Sequence, residues 1–131
     1  MYTKETANDI EKYIRDNFPK CGIYDDIDSG LPYAIAGAFA KYTVNTFAAG
    51  DIPETVRCLE LVEELCGSND HYISELGAVG YIEDMSNYIC HLSEDKQKEF
   101  YEMLGKTSKY YWDEVEKFWT GQIPCINEYT P

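Results

Sequence analysis

The sequence predicts a single all-helical domain over residues 1–131, a helical-repeat-like bundle of about six antiparallel helices. Apolar residues recur at steps of three and four along most of the chain, which is the period of an amphipathic helix. Alternating runs of Val, Ile and Thr, which indicate strands, are absent. The segments between the apolar stretches are short, and short connections favour antiparallel neighbours. With 131 residues, 44% of them hydrophobic, the chain is long enough to bury one core.

The central helix is predicted near residues 70–91, in the segment that reads NDHYISELGAVGYIEDMSNYICH. Its apolar residues form two stripes at helical spacing. The first stripe is Ala78, Ile82, Met85 and Ile89, and the second begins with Ile73, Leu76 and Gly80. Because a helix with one apolar stripe lies at the surface, two stripes indicate a helix sandwiched between others.

Three helices are predicted before the central one. Their ranges are residues 3–18, 32–48 and 51–66. Pro19 ends the first, since the residue before a proline is disfavoured in helical geometry. Gly50 stops the second, and Asp51 caps the third, with Glu54 three residues on as in a capping box. Residues expected to face the core include Ile10, Tyr13, Ile14, Phe18, Ile35, Phe39, Ile52, Cys58, Leu59, Leu61, Val62 and Leu65.

Two further helices are predicted after the central one. Ser93 caps the fifth helix, which runs to about Leu104, and Thr107 or Ser108 starts the sixth. Residues 122–131 carry no helical pattern and are predicted to form an irregular C-terminal tail.

The charge of the chain is strongly negative and unevenly distributed. The formal net charge is −13. Between Tyr42 and Asp95, Arg57 is the only Lys or Arg. The acids in that span are Asp51, Glu54, Glu60, Glu63, Glu64, Asp70, Glu75, Glu83, Asp84, Glu94 and Asp95. This distribution argues against nucleic acid and anionic membrane as partners, since both require a cationic protein surface. It favours a basic protein partner, although net charge also serves solubility.

Composition and cysteine usage predict a cytoplasmic protein. No apolar run approaches the roughly 20 residues that span a bilayer, and the N-terminal segment lacks the apolar stretch of a signal peptide. The cysteine count is odd, with Cys21, Cys58, Cys66, Cys90 and Cys125, and no CxxC pair occurs. Reduced thiols are therefore expected, with Cys58 and Cys66 buried as small apolar residues.

Motifs for catalysis or metal binding are missing from the sequence. There is no GxSxG segment, and His71 and His91 are predicted at opposite ends of one helix, about 30 Å apart. Cys90 precedes His91 directly, a spacing that does not place both side chains on one helix face for zinc. Asp26 and Asp28 lack the distal Glu of a calcium loop. We therefore expect no enzyme activity, no cofactor and no metal.

Acids and tyrosines are the candidate partner-binding residues. They are Tyr24, Asp25, Asp26, Asp28, Glu60, Glu64, Asp70, Tyr72, Glu75, Glu83 and Asp84. Tyr33 and Tyr81 are further interface candidates, because tyrosine offers a large contact area with few rotors. Glu83 is predicted on the stripe of Leu76 and Gly80. It is either a buried acid paired with the backbone or a lysine, or it opens toward a partner.

The middle of the chain resembles a known class of proteins. The turn Gly50–Asp51, the segment CLELVEEL and the segment GAVGYIEDM are similar to those of small acidic helical immunity proteins of bacterial toxin–immunity systems, including contact-dependent inhibition. The resemblance implies a non-enzymatic inhibitor that binds a cognate toxin, often a nuclease with a basic active site. The alternatives are a cytosolic helical adaptor whose acidity serves solubility, and an enzyme that uses a buried Glu83 or Cys90.

Overall fold

Six helices follow one another in the residues that the computed structural model describes, which are 2–22 and 31–131. Helix α1 spans Asn8–Asn17, α2 spans Pro32–Ala48 and α3 spans Ile52–Cys66. The fourth helix, α4, is continuous over residues 71–89, α5 spans Glu94–Met103 and α6 spans Lys106–Trp119. Short 3₁₀ turns lie at Lys4–Thr6 and Pro19–Cys21. No strand occurs among these residues, so the predicted all-helical class is confirmed.

Most predicted helix boundaries and caps agree with the structure, but α1 begins at Asn8 after a 3₁₀ turn instead of at residue 3, and α6 begins at Lys106 instead of Thr107 or Ser108. Asp51 accepts a hydrogen bond from the Glu54 backbone N–H at the start of α3, and Ser93 accepts one from the Lys96 N–H at the start of α5. Gly50 follows α2 with a φ of 84°, a left-handed conformation that glycine adopts without steric cost. The expected capping box is only half formed, because the Glu54 side chain binds Tyr42 and Arg57 instead of the cap backbone.

Helix α4 lies at the centre of the bundle, as predicted. It packs against α2, α3 and α6. Both predicted stripes are buried. The exposed fraction is at most 2% for Ala78, Ile82, Met85, Ile89, Ile73 and Leu76, and Gly80 is buried as well. A continuous helix that buries two sides is the core around which the other helices are arranged.

The middle of α4 is π-helical, which the sequence pattern did not predict. α-Helical geometry holds at His71–Glu75 and Glu83–Ile89, and the π segment is Leu76–Ile82. Hydrogen bonds in a π-helix run from residue i to i+5, so the side-chain register shifts relative to an ideal α-helix. This shift changes which residues of α4 face solvent.

Two glycines allow α4 to approach its neighbours closely. A Cβ atom on Gly77 would lie 2.9 Å from the Cys66 backbone nitrogen. A Cβ atom on Gly80 would lie 3.0 Å from the Ala36 Cβ. Any larger side chain at these positions would push α4 away from α3 or α2.

Glu63 of α3 caps the N-terminus of α6, which has no side-chain cap of its own. Its carboxylate accepts hydrogen bonds from the backbone N–H groups of Thr107 and Ser108, at 3.0 and 2.8 Å. The Ser108 hydroxyl donates a third, at 2.8 Å. Gly105 precedes the helix, and a Cβ there would lie 2.5 Å from the Glu63 carboxyl group.

The C-terminal tail is irregular, as predicted, but it is docked on α6. The Tyr129 N–H donates to the Tyr111 hydroxyl at 2.9 Å, and the Asn127 N–H donates to the buried Glu114 carboxylate at 3.2 Å. The Tyr110 hydroxyl donates to the Asn127 carbonyl. The tail thereby forms a fixed wall beside α4.

Two side chains predicted to face the core lie on the surface instead. Tyr13 is 41% exposed and contacts Phe18 at the edge of the core, while Ile10 and Ile14 on the same helix are buried. Ile52 is 39% exposed because it occupies the first turn of α3, outside the layer that α2 and α4 cover.

In the described part of the chain, no helix has the length and apolar character needed to span a bilayer.

Candidate functional site

Four of the eleven acids between Tyr42 and Asp95 are engaged in holding the fold together. Asp51 and Asp70 cap helices α3 and α4, and Asp70 also accepts from the Lys4 N–H. Glu63 caps α6, and Glu54 pairs with Tyr42 and Arg57. Asp70, a predicted partner-binding residue, therefore has a structural role in this fold.

Glu60 and Glu64 are exposed on the outer face of α3, as predicted. They line a groove of about 420 Å³ beside α1. The groove is lined by Tyr2, Tyr13, Phe18, Arg57, Glu60, Leu61 and Glu64. Arg57 is occupied elsewhere, because its guanidinium group binds Glu54 and the Asn17 carbonyl. Among the described residues, neither glutamate of this groove has a hydrogen-bonding or ion-pair partner.

Glu75 and Glu83 line a second opening, a cleft of about 450 Å³ between α4, α6 and the C-terminal tail. We call this opening the tail cleft. Its lining consists of His71, Ser74, Glu75, Val79, Glu83, Tyr111, Phe118, Cys125, Ile126 and Glu128. Glu75, Val79 and Glu83 follow one another at steps of four and share the side of α4 that faces the tail. The predicted acidic face is therefore divided between two separate openings.

Three glutamates and one histidine set the charge of the tail cleft. His71 lies between two of the acids, with Nε2 at 3.3 Å from Glu75 and Nδ1 at 3.3 Å from Glu128. Glu128 also accepts a hydrogen bond from the Ser74 hydroxyl. The Glu83 carboxylate has no hydrogen-bonding or ion-pair partner among the described residues.

Burial raises the pKa of the Glu83 carboxyl group, and the charge of Asp84 raises it further. Burial also raises the pKa of Asp84, which lies against Gly37 of α2. The prediction that Glu83 shares the stripe of Leu76 and Gly80 is wrong, because those two residues are buried and Glu83 faces the cleft. The π-helical register between them accounts for the difference.

The tyrosine candidates differ in their exposure. Tyr72 is half-buried, with the Lys4 ammonium group 5.9 Å from its ring centroid, and Tyr33 is 43% exposed. Tyr81 is fully buried and packs against Phe39, so its assignment to an interface is wrong. Tyr81 lies three residues after Ala78 and four after Gly77, and all three are buried on the same side of α4.

The remaining candidates lie outside the described residues. They are Tyr24, Asp25, Asp26 and Asp28.

Reactive side chains are dispersed over the described part of the chain. Cys58 and Cys66 are buried as predicted, and burial raises the pKa of the Cys58 thiol to about 12, which keeps it protonated. Cys90 is exposed and donates to the Asn87 carbonyl. No three His, Cys, Asp or Glu side chains in residues 2–22 and 31–131 are grouped so that they could hold a metal ion.

Sequence reasoning missed several residues of the tail cleft, chiefly Phe118, Ile126 and Glu128. Each comes from a segment that folds back onto α4 from a distant part of the sequence. The one local signal was His71 four residues before Glu75, the spacing of a side-chain pair on one helix face.

Comparison with known proteins places the chain in a protein family. The family model described as "Domain of unknown function (DUF7674)" matches residues 11–120. No curated protein and no solved structure matches the chain.

Proposed function

We propose that this chain, which belongs to the DUF7674 family, is a non-enzymatic immunity protein that binds and neutralises a basic bacterial toxin domain. A nuclease is the toxin class that fits best, because a nuclease site attracts phosphates and therefore attracts carboxylates too. We expect the protein to act in the bacterial cytoplasm.

The observation that carries this proposal is the presence of uncompensated glutamates in two open concave surfaces. Glu60 and Glu64 line the groove beside α1, and Glu83 lines the tail cleft, where Glu75 lies 3.3 Å from His71. Both openings exceed the lower size of typical ligand pockets, about 300 Å³. Carboxylates that the fold does not use to pair with its own cations are available to a cationic partner.

The proposed inhibition is electrostatic and steric. The negative field of a chain with net charge −13 raises the rate of encounter with a basic domain. Once bound, the glutamates occupy the positions where substrate phosphates would lie, and the helical bundle covers the entrance to the toxin's site. This mechanism requires no chemistry from the immunity protein.

The test is inhibition of the toxin domain encoded by the neighbouring gene, measured with purified proteins. Equimolar wild-type protein is expected to suppress the toxin's activity. The double variants Glu60→Lys/Glu64→Lys and Glu75→Lys/Glu83→Lys are expected to raise the concentration needed for half-inhibition, by about 10-fold or more for the pair nearer the contact centre.

A matched control separates local contact from total charge. The variant Glu102→Lys/Glu116→Lys makes the same change in net charge at exposed positions of α5 and α6. It is expected to inhibit nearly as well as the wild type. Unchanged toxin activity in the presence of wild-type protein would contradict the immunity function and favour a helical adaptor whose acidity serves solubility.

A further inference from the structure

We infer that the tail cleft is the receptor site for one arginine side chain of the protein partner. The inference rests on the proposed function for the identity of that partner, but the cleft itself is tested without the partner.

The walls match the stem of a long basic side chain. Val79 of α4, Phe118 of α6 and Ile126 of the tail contribute apolar surface to the lining. Phe118 is 38% exposed, so its ring is accessible at the rim. Long basic side chains bury their methylene groups against apolar surface while the charged head reaches a polar group. A cleft of about 450 Å³ has room for such a side chain and for part of the adjacent residues of the partner chain.

The charge of the cleft favours a cation beside the Glu83 carboxylate. Glu75 and Glu128 already share His71, which lies 3.3 Å from each of them. Glu83 is half-buried in the same lining, and its carboxylate has no hydrogen-bonding or ion-pair partner among the described residues. A partly desolvated carboxylate without a partner is unfavourable, and a cation that enters the cleft supplies the missing partner.

The raised pKa of Glu83 is consistent with a cation site beside its carboxylate, since no positive group among the described residues stabilises the ionised form there. The charged groups near it are Asp84, His71 and Glu75 on the same helix, and Glu128 of the C-terminal tail. Of these, only histidine can be positive. A bound guanidinium group would favour the ionised form of Glu83 and lower its pKa.

Arginine fits these features better than lysine. A guanidinium group is planar, binds a carboxylate through two parallel hydrogen bonds, and stacks on an aromatic ring. The cleft offers a carboxylate at Glu83 and an exposed aromatic ring at Phe118. Lysine would use the carboxylate as a point charge and gain less from the ring.

The cleft is held open before any partner arrives. Its outer wall is fixed by the hydrogen bonds from the Tyr129 N–H to Tyr111 and from the Asn127 N–H to Glu114. A site that is ordered in the free protein does not have to order itself on binding, which improves affinity.

The experiment is an NMR titration of the full chain with N-acetyl-arginine methylamide. The control ligand is the citrulline analogue, which has nearly the same shape and no charge. We expect saturable shifts of the Val79 and Ile126 methyl signals with the arginine probe in the millimolar range, and at least about 10-fold weaker binding of the citrulline analogue. The lysine analogue is expected to bind more weakly than the arginine probe.

Two variants test the assignment of Glu83. Glu83→Gln is expected to weaken binding of the arginine probe about 10-fold, and Glu116→Gln, an exposed acid of α6, is expected to leave it unchanged. Phe118→Leu keeps an apolar wall and is expected to reduce the preference for arginine over lysine. Equal binding of arginine and citrulline probes, or equal effects of the two glutamine variants, would overturn the inference.

The same variants separate this inference from the proposed function. If the arginine probe binds as expected but the neighbouring toxin does not, the cleft assignment holds and the immunity function fails. If the toxin is inhibited by both the wild type and Glu83→Gln to the same extent, and the probe does not saturate, the immunity function holds and the cleft assignment fails.

Discussion

Glu83 illustrates at the residue scale how burial without a partner raises the pKa of a carboxyl group. Its ordinary pKa is 4.5, and the folded protein binds the proton more tightly than the unfolded chain does. Protonation of Glu83 therefore stabilises the fold. This contribution is complete below the unfolded pKa and is lost as the pH rises through the higher folded pKa.

Glu83→Gln is accordingly expected to raise the free energy of unfolding near neutral pH. The difference in the free energy of unfolding between the variant and the wild type should shrink as the pH falls toward the ordinary pKa of 4.5. It should vanish below that pH. Urea denaturation of both proteins over this pH range measures the effect. Glu116→Gln, at an exposed position, serves as the control and is expected to stay within about 0.5 kcal/mol of the wild type. A variant that is less stable than the wild type at neutral pH would show that Glu83 has a favourable partner.

Tyr81 supports a second prediction at this scale. Its ring is fully buried, and its hydroxyl group has no hydrogen-bonding partner among the described residues. A buried, unpaired hydroxyl costs free energy, so its removal should not destabilise the protein. Tyr81→Phe is expected to raise the free energy of unfolding by up to about 1 kcal/mol, measured by denaturant titration. A loss of more than about 1 kcal/mol would show that the hydroxyl group is bonded in solution.

At the scale of the helices, the start of α6 depends on a side chain of α3. Glu63→Ala would leave two backbone N–H groups and the Ser108 hydroxyl without their acceptor. We expect a loss of about 2–3 kcal/mol in the free energy of unfolding, because hydrogen bonds to a charged group are stronger than neutral ones. The neighbouring exposed Glu64→Ala is the control and should stay within about 0.5 kcal/mol.

Gly105→Ala tests the same cap from the other side. The added Cβ would lie 2.5 Å from the Glu63 carboxyl group and would displace it. The two substitutions break one set of hydrogen bonds, so their combined effect should be smaller than the sum of the separate effects. Strict additivity in the double variant would mean that Gly105 is required for a different reason.

The sequence predicted the helices well because the signals for them are local. Pro19, Gly50, Asp51 and Ser93 mark helix ends within a few residues, and the two buried stripes of α4 follow from spacing alone. The orientation of Glu83 was mispredicted because the π segment shifts the register that spacing assumes. No local pattern identifies such a segment.

Contacts between distant parts of the chain could not be predicted from the sequence either. The cap that Glu63 makes on α6 joins residues 44 and 45 positions apart in the sequence. The docking of Glu128 against His71 and Ser74 creates one side of the tail cleft, and it depends on the tail folding back. The acidic character of the site was evident in the sequence, but its division into two openings was not.

At the scale of the whole molecule, the fold sorts the acids into two groups. Asp51, Glu54, Glu63 and Asp70 are used for caps and pairs. The exposed remainder, together with the net charge of −13, produces the negative field on which the proposed function depends. The central claim is that this field guides a basic toxin domain to the glutamates of the groove and the tail cleft.

The association rate constant with the toxin domain of the neighbouring gene tests this claim most directly. It should be measured by stopped flow at about 0.05 M and 0.15 M salt, since exposed charges are screened beyond about 8 Å at the higher concentration. We expect the rate constant for the wild type to fall markedly with salt. We also expect a slower and less salt-dependent rate for Glu60→Lys/Glu64→Lys, with stability nearly unchanged. An association rate constant that changes neither with salt nor with the double reversal would show that the acidic surface does not guide the toxin domain.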